Sequence, residues 1–267
     1  MELKLGSKGN EVKVLQRALH LIGFLAANSD DGVFGKLTEN AVKELQKSRG
    51  LKVDGIVGNK TWAILLNESS NDIVITNGYI STHITPSKGR FVKYIAVHYT
   101  AGGTSKKGTA LNTRNVFLKR QASADFVVDD GSIVQINPDL KNYYCWSVGD
   151  KKNVYSGGGR LFGVANNRNT ISIEICSNLM DGWSAAFANH KGWYFTDASL
   201  DNALKLIRYL MKIFGVPKSN VVRHYDISGK LCPGIVGWND APVYNNDGKK
   251  ESEKSNSTQW LSFWSKI

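Results

Sequence analysis

Cysteine, histidine and proline are scarce in this chain of 267 residues, which has three, five and five of them respectively. Three cysteines are few, and an odd number cannot all pair, which argues against a disulfide framework. A buried thiol or a metal-bound thiolate is the remaining interpretation. No apolar run approaches the ~20 residues that cross a bilayer, so we expect no membrane insertion. The opening MELKLGSKGNEVKVLQ lacks the apolar centre of a secretory signal, so we expect synthesis in the cytoplasm without a signal peptide.

Acidic residues are also in deficit, with 23 Asp and Glu against 34 Lys and Arg and a net charge of +11. Such a charge favours an anionic partner such as nucleic acid, a membrane surface or acidic wall polymers. A generally basic, solvated surface is the alternative. The sequence contains no recognised nucleic-acid-binding motif, so we expect no nucleic acid partner. The 42% of hydrophobic and 21% of charged residues are typical of a globular protein, and the length allows two domains.

The first segment carries an internal repeat. The stretch DGVFGKLT at residues 31–38 recurs as DGIVGNKT at residues 54–61. Each copy contains an Asp-Gly turn, a second glycine in the loop and a threonine placed to cap the following helix. Apolar residues recur at helical spacing around both copies. The pattern predicts a three-helix domain over residues 1–66 and a linker over residues 67–77, which begins with the polar stretch NESSND.

Beyond the linker the sequence alternates between strand and helix patterns. KYIAVHYT predicts a buried strand ending at His98, SADFVVDDGSIVQI a hairpin, and TISIEIC a strand with alternating faces. TDASLDNALKLIRYLMKIFG predicts an amphipathic helix, and NVVRH a further strand that ends at His224. Residues 78–267 are therefore predicted to form an α/β domain with a central sheet.

Two glycine-rich stretches are candidates for ligand-binding loops. GGTSKKGT at residues 102–109 lacks the lysine that follows the last glycine of a phosphate-binding loop, so we exclude that function. SGGGRLFGVANNRN at residues 156–169 is interpreted as a surface loop near a cleft, and contact with a ligand is one of two alternatives for it.

The stretch RHYDISGKLCPG brings His224, Lys230 and Cys232 into one short segment. Like His224, His98 stands at the end of a predicted strand, where a sheet holds an imidazole rigidly. Two imidazoles and one thiolate form a reasonable catalytic zinc site with an open fourth position. The alternative is that hydrogen bonds alone satisfy these histidines. The spacing of the residues does not decide between metal binding and hydrogen bonding. Glu174, a lone carboxylate on an apolar strand, is either a general base or a member of a structural ion pair.

Both segments resemble known families. Residues 1–66, with LKLGSKGNEVKVLQRAL and the doubled DG-x-x-G-x-x-T pattern, resemble the peptidoglycan-binding module of many wall hydrolases. YIAVHYTA, TISIEIC and RHYDISGKLCPG, over about residues 90–235, resemble the zinc-dependent N-acetylmuramoyl-L-alanine amidases of phage endolysins, autolysins and peptidoglycan recognition proteins. The resemblance implies an α/β amidase domain with a central mixed β-sheet flanked by helices, preceded by a small three-helix peptidoglycan-binding domain.

The resemblance to the amidases also implies roles for five residues. His98, His224 and Cys232 would be the ligands of Zn²⁺. Glu174 would be the catalytic glutamate, and Lys230 would stabilise the oxyanion that forms on the scissile carbonyl. Without the flanking motif, Lys230 would be interpreted as a solvated loop lysine.

Three positions depart from the amidase pattern. Ala124 cannot supply the tyrosine hydroxyl that some members use in catalysis, and Ser147 stands where relatives often carry a histidine. Three roles are possible for Asp125: a hydrogen-bond partner of a metal ligand, a substrate contact or a structural residue. After Cys-Pro-Gly, an insertion rich in Asn, Lys and Glu precedes QWLSFWSKI, which is predicted to form the last helix.

The implied function is hydrolysis of the amide between N-acetylmuramic acid and L-alanine in bacterial peptidoglycan. Synthesis without a signal peptide fits a phage or prophage endolysin that reaches the wall after release through a membrane pore. The alternatives are a non-catalytic peptidoglycan-recognition protein and a muropeptide-recycling amidase. The intact ligand set argues against the first, and the wall-binding module argues against the second. We favour a monomer.

Overall fold

The computed structural model describes most of the chain. The described ranges are residues 2–26, 29–68, 73–101, 109–149, 158–252 and 254–267. Three stretches singled out in the sequence therefore lie partly outside the description, at residues 69–72 of the predicted linker, residues 102–108 and residues 156–157 of the two glycine-rich loops. Within the described ranges, no helix is long and apolar enough to cross a membrane.

The chain divides into two compact units. The first comprises residues 1–74 with residues 209–215, and the second comprises residues 75–208 with residues 216–267. Three helices begin the chain: α1 (Asn10–Leu21), α2 (Lys36–Ser48) and α3 (Asn59–Glu68). Each buries apolar residues at helical spacing, including Val12, Leu15, Leu19, Val42, Leu45 and Leu65. The predicted three-helix arrangement is confirmed.

The internal repeat of the sequence is also a repeated hydrogen-bond network. Gln16 of α1 is 2% exposed, and its amide nitrogen donates to Asp31 Oδ1 at 2.8 Å and to the Val33 carbonyl at 3.0 Å. The same nitrogen donates to Thr38 Oγ1 at 3.1 Å. The amide oxygen of Gln16 accepts the Gly32 N–H at 2.9 Å. One buried glutamine thus holds the first Asp-Gly turn against the helix before it.

Gln46 of α2 does the same for the second turn. It is 1% exposed, and its nitrogen donates to Asp54 Oδ1 at 3.0 Å and to the Ile56 carbonyl at 2.9 Å. The contact with Thr61 Oγ1 is 3.3 Å, and the Gly55 N–H donates to the amide oxygen at 2.9 Å. Because the nitrogen and the oxygen of both amides are hydrogen-bonded within the turns that follow, we infer that these glutamines specify the two turns.

Gln46→Glu tests this network with an isosteric change. It replaces a donating nitrogen by an oxygen that faces the Asp54 carboxylate and a backbone carbonyl. We expect the free energy of unfolding of the first unit to fall by about 2–4 kcal/mol, since buried polar groups without partners are costly. Hydrogen exchange of backbone amides in residues 29–68 measures the change. Glu44→Gln, on the exposed face of α2, is the control with an expected change within about 0.5 kcal/mol. Equal protection in both variants would contradict the inference.

The second unit is built on a six-stranded sheet. Its strands are β1 (Ile75–Asn77), β3 (Tyr94–Tyr99), β4 (Phe126–Val128), β5 (Ile133–Gln135), β7 (Thr170–Ile175) and β10 (Val221–Arg223). Their order is β1-β5-β4-β7-β3-β10, and neighbours run parallel except for the predicted hairpin of β4 and β5. The prediction of an α/β domain with a mixed central sheet is confirmed. Strand β1 lies within the segment assigned to the linker.

Four further helices and three separate two-stranded pairs complete the described part of the chain. The helices are α4 (Ala110–Phe117), α5 (Asp197–Phe214), α6 (His224–Ser228) and α7 (Thr258–Ser265). Three antiparallel pairs are formed by β2 (Ile84–Pro86) with β6 (Tyr143–Cys145), β8 (Asn178–Leu179) with β9 (Trp193–Tyr194), and β11 (Val243–Tyr244) with β12 (Lys250–Ser252). The insertion NNDGKKESEKSNS contains β12 and follows directly after β11, and QWLSFWSKI supplies the predicted last helix.

The register of the parallel strands brings the candidate residues to one edge of the sheet. His98 in β3 lies opposite Glu174 in β7. Arg223, the last residue of β10, lies opposite Val97, so that His224 follows directly beside His98. The carboxyl ends of parallel strands meet at the same edge, which is where α/β proteins commonly place their sites.

Candidate metal centre and active site

The structure brings His98, His224 and Cys232 together, although 134 residues separate the first from the last. One ligand atom from each lies within 4.8 Å of those from the other two. Cys232 Sγ is 3.6 Å from His98 Nδ1, and the two imidazole centroids are 4.6 Å apart. All three side chains are buried, with exposures of 2%, 3% and 4%. The three predicted ligands therefore form one cluster.

This cluster fits zinc. Two ligands at ~2.1 Å (nitrogen) and ~2.3 Å (sulfur) from a tetrahedral zinc stand ~3.6 Å apart, which matches the observed separation of Cys232 Sγ and His98 Nδ1. His224 Nδ1 is buried and has no hydrogen-bond partner within the described part of the chain. Unpaired buried nitrogens are costly unless something binds them. Nitrogen and thiolate donors suit zinc, whereas Mg²⁺ and Ca²⁺ prefer oxygen.

The orientation of His224 is set by a backbone carbonyl. Its Nε2 lies 3.0 Å from the Val148 carbonyl oxygen. Because that oxygen can only accept, Nε2 carries the proton and Nδ1 keeps its lone pair toward the cluster. Val148 is itself held by Asn167, whose Oδ1 accepts the N–H groups of Ser147 at 3.0 Å and Val148 at 2.8 Å. Asn167 is thus a positioning residue behind His224.

Two asparagines hold the segment that follows Cys232. Asn239 Nδ2 donates to the Pro233 carbonyl at 2.9 Å and to Asn189 Oδ1 at 2.9 Å. The Asn189 N–H donates to the Gly234 carbonyl at 2.6 Å. Both asparagine side chains are fully buried. The part of the chain around residue 189 and the insertion after residue 235 therefore brace the loop that carries the thiol.

Burial and nearby charges control the protonation of the three ligands. Burial raises the pKa of the Cys232 thiol, the charge of Glu174 raises it further, and Lys230 opposes both. Burial lowers the pKa of His224 to about 4, with Lys230 acting in the same direction, and lowers that of His98 well below its usual value. Both imidazoles are therefore neutral near pH 7, which is the form that binds metals.

Glu174 lies next to the cluster. Its Oε1 is 3.9 Å from His98 Nδ1, and its side chain is 17% exposed. Burial raises the pKa of Glu174 to about 8, and the charges of Lys230 and Arg120 oppose the rise. The alternative for Glu174 was a structural ion pair, for which Arg223 is a candidate partner; the guanidinium group of Arg223 instead donates to Asp226 Oδ1 at 2.7 Å.

Lys230 is exposed at the rim of the cluster. Its ammonium group lowers the pKa values of Glu174 and His224, which places its charge within electrostatic reach of both. A flexible cation in this position can approach a negatively charged oxygen that forms beside the cluster. The arrangement combines three residues that could hold a metal ion, a carboxyl group and a cation, a set that suits metal-assisted hydrolysis of an amide.

Asp125 is part of the scaffold. It is fully buried, and its carboxylate accepts from Arg90 at 3.0 Å, from Asn137 Nδ2 at 2.7 Å and from the Ser172 N–H at 2.8 Å. These partners tie β4 to β7 and leave Asp125 no free oxygen for a substrate. Ser147, which replaces the family's histidine, forms a hydrogen bond with the Ser172 hydroxyl.

Both segments of the chain are similar to known protein families. A family model described as N-acetylmuramoyl-L-alanine amidase matches residues 88–235, and a model described as a peptidoglycan binding domain matches residues 8–65. The N-acetylmuramoyl-L-alanine amidase CwlH of Bacillus subtilis (strain 168) is 33% identical over 165 residues, which are 60% of this chain and 55% of that protein. CwlL of Bacillus licheniformis is 31% identical over 149 residues, or 53% and 36%.

Part of the chain is also similar to a solved structure. The catalytic domain of XlyA is 28% identical, with a TM-score of 0.41, over 60% of this chain and 90% of that domain. The chain spans about half the length, or less, of the curated relatives named above. The amidase model nevertheless covers more than half of this chain and includes all three clustered ligands. The resemblance seen in the sequence is confirmed, and the chain belongs to the N-acetylmuramoyl-L-alanine amidase family.

Proposed function

We propose that this protein is a zinc-dependent peptidoglycan hydrolase that cleaves the amide between N-acetylmuramic acid and the L-alanine of the stem peptide. The observation that carries the proposal is the convergence of His98, His224 and Cys232 beside Glu174. The family membership and the names of the relatives, which are amidases of this specificity, support the same reaction.

In this proposal His98, His224 and Cys232 hold the zinc, and one coordination position stays open. Zinc, when bound, supplies Lewis acidity toward the scissile carbonyl and makes water a nucleophile near neutral pH. The Val148 carbonyl keeps His224 in the tautomer that leaves Nδ1 free, and the buried asparagines behind Cys232 keep the thiol in place. The chain thereby fixes the ligand geometry before substrate arrives.

Glu174 is the proton carrier in this mechanism. The positive charge of a bound metal ion would oppose the rise of the Glu174 pKa that burial causes. The carboxylate then takes a proton from the attacking water as the carbon–oxygen bond forms at the scissile carbonyl. The carbon–nitrogen bond then breaks, and Glu174 returns the proton to the leaving amine of L-alanine. The ammonium group of Lys230 stabilises the negative charge that develops on the carbonyl oxygen. The products are a lactyl carboxylate on muramic acid and a stem peptide with a free amino terminus.

The peptidoglycan-binding segment would keep the enzyme on its insoluble substrate. We infer that it raises the local concentration of scissile bonds around the amidase unit, as a tethered second binding site does. The net charge of +11 favours the same anionic wall material. We further propose that the protein acts on the wall after release from the cytoplasm, as an endolysin of phage or prophage origin does.

Digestion of purified sacculi tests the reaction. We expect mass spectrometry to find stem peptides with free N-terminal alanine and glycan strands without new reducing ends. A chelator should abolish the release, and added zinc should restore it, because the release depends on the bound metal. New reducing sugars would assign the cleavage to a glycosidic bond instead. A protein that binds walls but releases nothing, with zinc present, would be the non-catalytic alternative.

A further inference from the structure

The second glycine-rich loop contacts the segment of residues 224–232, which carries two of the three clustered ligands. The N–H of Gly159 donates to the Tyr225 carbonyl at 2.9 Å, and the N–H of Leu161 donates to the Asp226 carbonyl at 3.0 Å. Both acceptors belong to α6. The proposed mechanism uses no residue of this loop, although the loop is hydrogen-bonded to the helix that begins at the metal centre.

The loop is also anchored by an apolar side chain. Leu161 packs against a buried cluster that includes Val148, Ala165 and Ile227. Because Ile227 lies in α6, the loop and the helix share one apolar core. Burial and backbone hydrogen bonds therefore both hold the loop against α6.

Two glycines allow a close approach of the two backbones. A Cβ on Gly158 would lie 2.7 Å from the Cα of Gly229 and 2.9 Å from the Tyr225 carbonyl oxygen. Both are backbone atoms, which cannot rotate away as the end of a side chain can. The φ angle of Gly158 is outside the left-handed region. Glycine is therefore needed at this position for space and not for its backbone conformation.

The other glycine of this contact directs the chain toward Lys230. Gly229 follows α6 with a φ of 81°, in the left-handed region that favours glycine. Its N–H donates to the Tyr225 carbonyl at 2.9 Å, which is the oxygen that also accepts from Gly159 of the loop. The loop and the end of the helix thus share one acceptor, and Lys230 is the next residue of the chain.

The space that the Lys230 ammonium group can reach depends on the backbone of this residue. Its side chain is exposed, and an exposed lysine samples many rotamers. Within the described ranges, the hydrogen bonds of Lys230 are made by its backbone. The N–H donates to Ser228 Oγ at 3.4 Å, and the carbonyl accepts the Cys232 N–H at 2.7 Å. A shift of Gly229 would therefore move the ammonium group.

The metal ligands of the same segment have supports of their own. His224 Nε2 lies 3.0 Å from the Val148 carbonyl, and the buried asparagines described above hold the chain that follows Cys232. We therefore expect a displaced loop to affect Lys230 more than the two ligands.

We propose that Gly158 is a positioning residue for Lys230. Its contact with Gly229 fixes the end of α6 and so keeps the ammonium group within reach of the oxygen on which negative charge develops. The inference rests on the proposed function for the role of Lys230. Of the two alternatives for this loop, it favours a role in packing over contact with a ligand.

Gly158→Ala tests the contact in the zinc-loaded full chain. We expect kcat for a soluble muropeptide to fall by about 10- to 100-fold, because a displacement of about 1 Å costs that much. KM and the zinc affinity should stay within about threefold of the wild type. Gly131→Ala is the matched control, since a Cβ on Gly131 meets nothing within 4 Å and its φ is also outside the left-handed region. This variant should keep the wild-type kcat.

A double-mutant cycle separates the positioning of Lys230 from a general loss of structure. Lys230→Met alone should lower kcat by ~10²- to 10³-fold. Adding Gly158→Ala to it should lower kcat by less than about threefold, because no ammonium group remains to be misplaced. A further fall as large as in the wild-type background would overturn the proposal. So would a zinc affinity that falls together with kcat in Gly158→Ala, since the contact would then act on the metal ligands.

Leu161→Ala is the second variant, for the case that Gly158→Ala does not fold. It weakens the anchor of the loop without adding an atom. We expect the fall in kcat that it causes to vanish in the Lys230→Met background as well. An equal fall in both backgrounds would contradict the positioning of Lys230 by the loop.

NMR of the backbone amides measures the contact without catalysis. The amide signals of Gly229 and Lys230 should shift in Gly158→Ala and stay in place in Gly131→Ala. If they shift while the zinc-loaded wild type hydrolyses nothing, the contact is real, and the reaction and the positioning role are both wrong. If the wild type releases stem peptides and a folded Gly158→Ala does so at the same rate, the hydrolase stands and only the positioning role is wrong.

Discussion

Cys232→Ala should lower the zinc affinity by at least ~100-fold and reduce the release of stem peptides from walls to background. The thiol is one of three clustered ligands, and it lies 3.6 Å from His98 Nδ1. Complete zinc sites bind with ~10–16 kcal/mol, so that one ligand accounts for roughly 3 kcal/mol or more. Competition with a chromophoric chelator measures the affinity, and amino-terminal analysis of digested walls measures the activity.

The chain offers a matched control for this substitution. Cys176 is also a buried free thiol, but its sulfur contacts Thr113 Oγ1 at 3.8 Å and is outside the cluster. Cys176→Ala should keep the zinc affinity of the wild type and lose at most a few kcal/mol of stability through the small cavity it creates. Equal zinc binding by Cys232→Ala and the wild type would show that the thiol is not a ligand.

Glu174→Gln should lower kcat by about 10²- to 10⁴-fold, the range of general acid–base catalysis. The substitution keeps the size of the side chain and removes its ability to take and return a proton. Glu174 Oε2 has no hydrogen-bond partner among the described residues, so that the amide replaces no existing contact at that atom. We expect the zinc affinity and the affinity for walls to stay within a few-fold of those of the wild type.

A fall in kcat without a fall in the affinity for zinc or for walls is the informative result. Glu251→Gln provides the comparison, because Glu251 is an exposed carboxylate of the same unit that pairs with Lys191. This variant should hydrolyse walls like the wild type. If Glu174→Gln retained more than about a tenth of the wild-type kcat, another group would have to carry the proton, and our mechanism would be wrong in that step.

Much of the site could be predicted because its residues stand where regular strands end. The apolar runs around His98 and Glu174 predict two buried strands, and parallel pairing then places both residues at one edge of the sheet. His224 follows a third such strand. The family resemblance then implied roles for these residues that the spacing alone left open.

No sequence pattern comparable to the strand patterns marked the contacts that support the site. Asn167 accepts from the backbone N–H groups of Ser147 and Val148, 20 and 19 residues earlier. Asn189 Nδ2 donates to the Ala241 carbonyl, 52 residues later, and Asn239 Nδ2 donates to Asn189 Oδ1, 50 residues earlier. Side chain to backbone contacts of this kind follow no periodicity, so no pattern in the sequence marks them. Gln16 and Gln46 escaped notice for the same reason, although the turns that they hold were recognised from their Asp-Gly pairs.

Short strands and helices also could not be predicted from the sequence. Strand β1 has three residues, which is too few to show an alternation, and it lies in a stretch that was interpreted as linker. At His224 the predicted strand gives way to the short helix α6. The Asp226 carboxylate accepts the Arg223 N–H at 2.9 Å, which starts a helical turn at that point.

X-ray absorption at the zinc edge measures the central claim most directly. For the purified full chain we expect one zinc per molecule, with two nitrogen neighbours at ~2.0–2.1 Å and one sulfur neighbour at ~2.3 Å. The sulfur signal should disappear in Cys232→Ala and persist in Cys176→Ala. A spectrum without sulfur at that distance, from protein that still hydrolyses walls, would contradict the assignment of His98, His224 and Cys232 as the ligands of the catalytic metal.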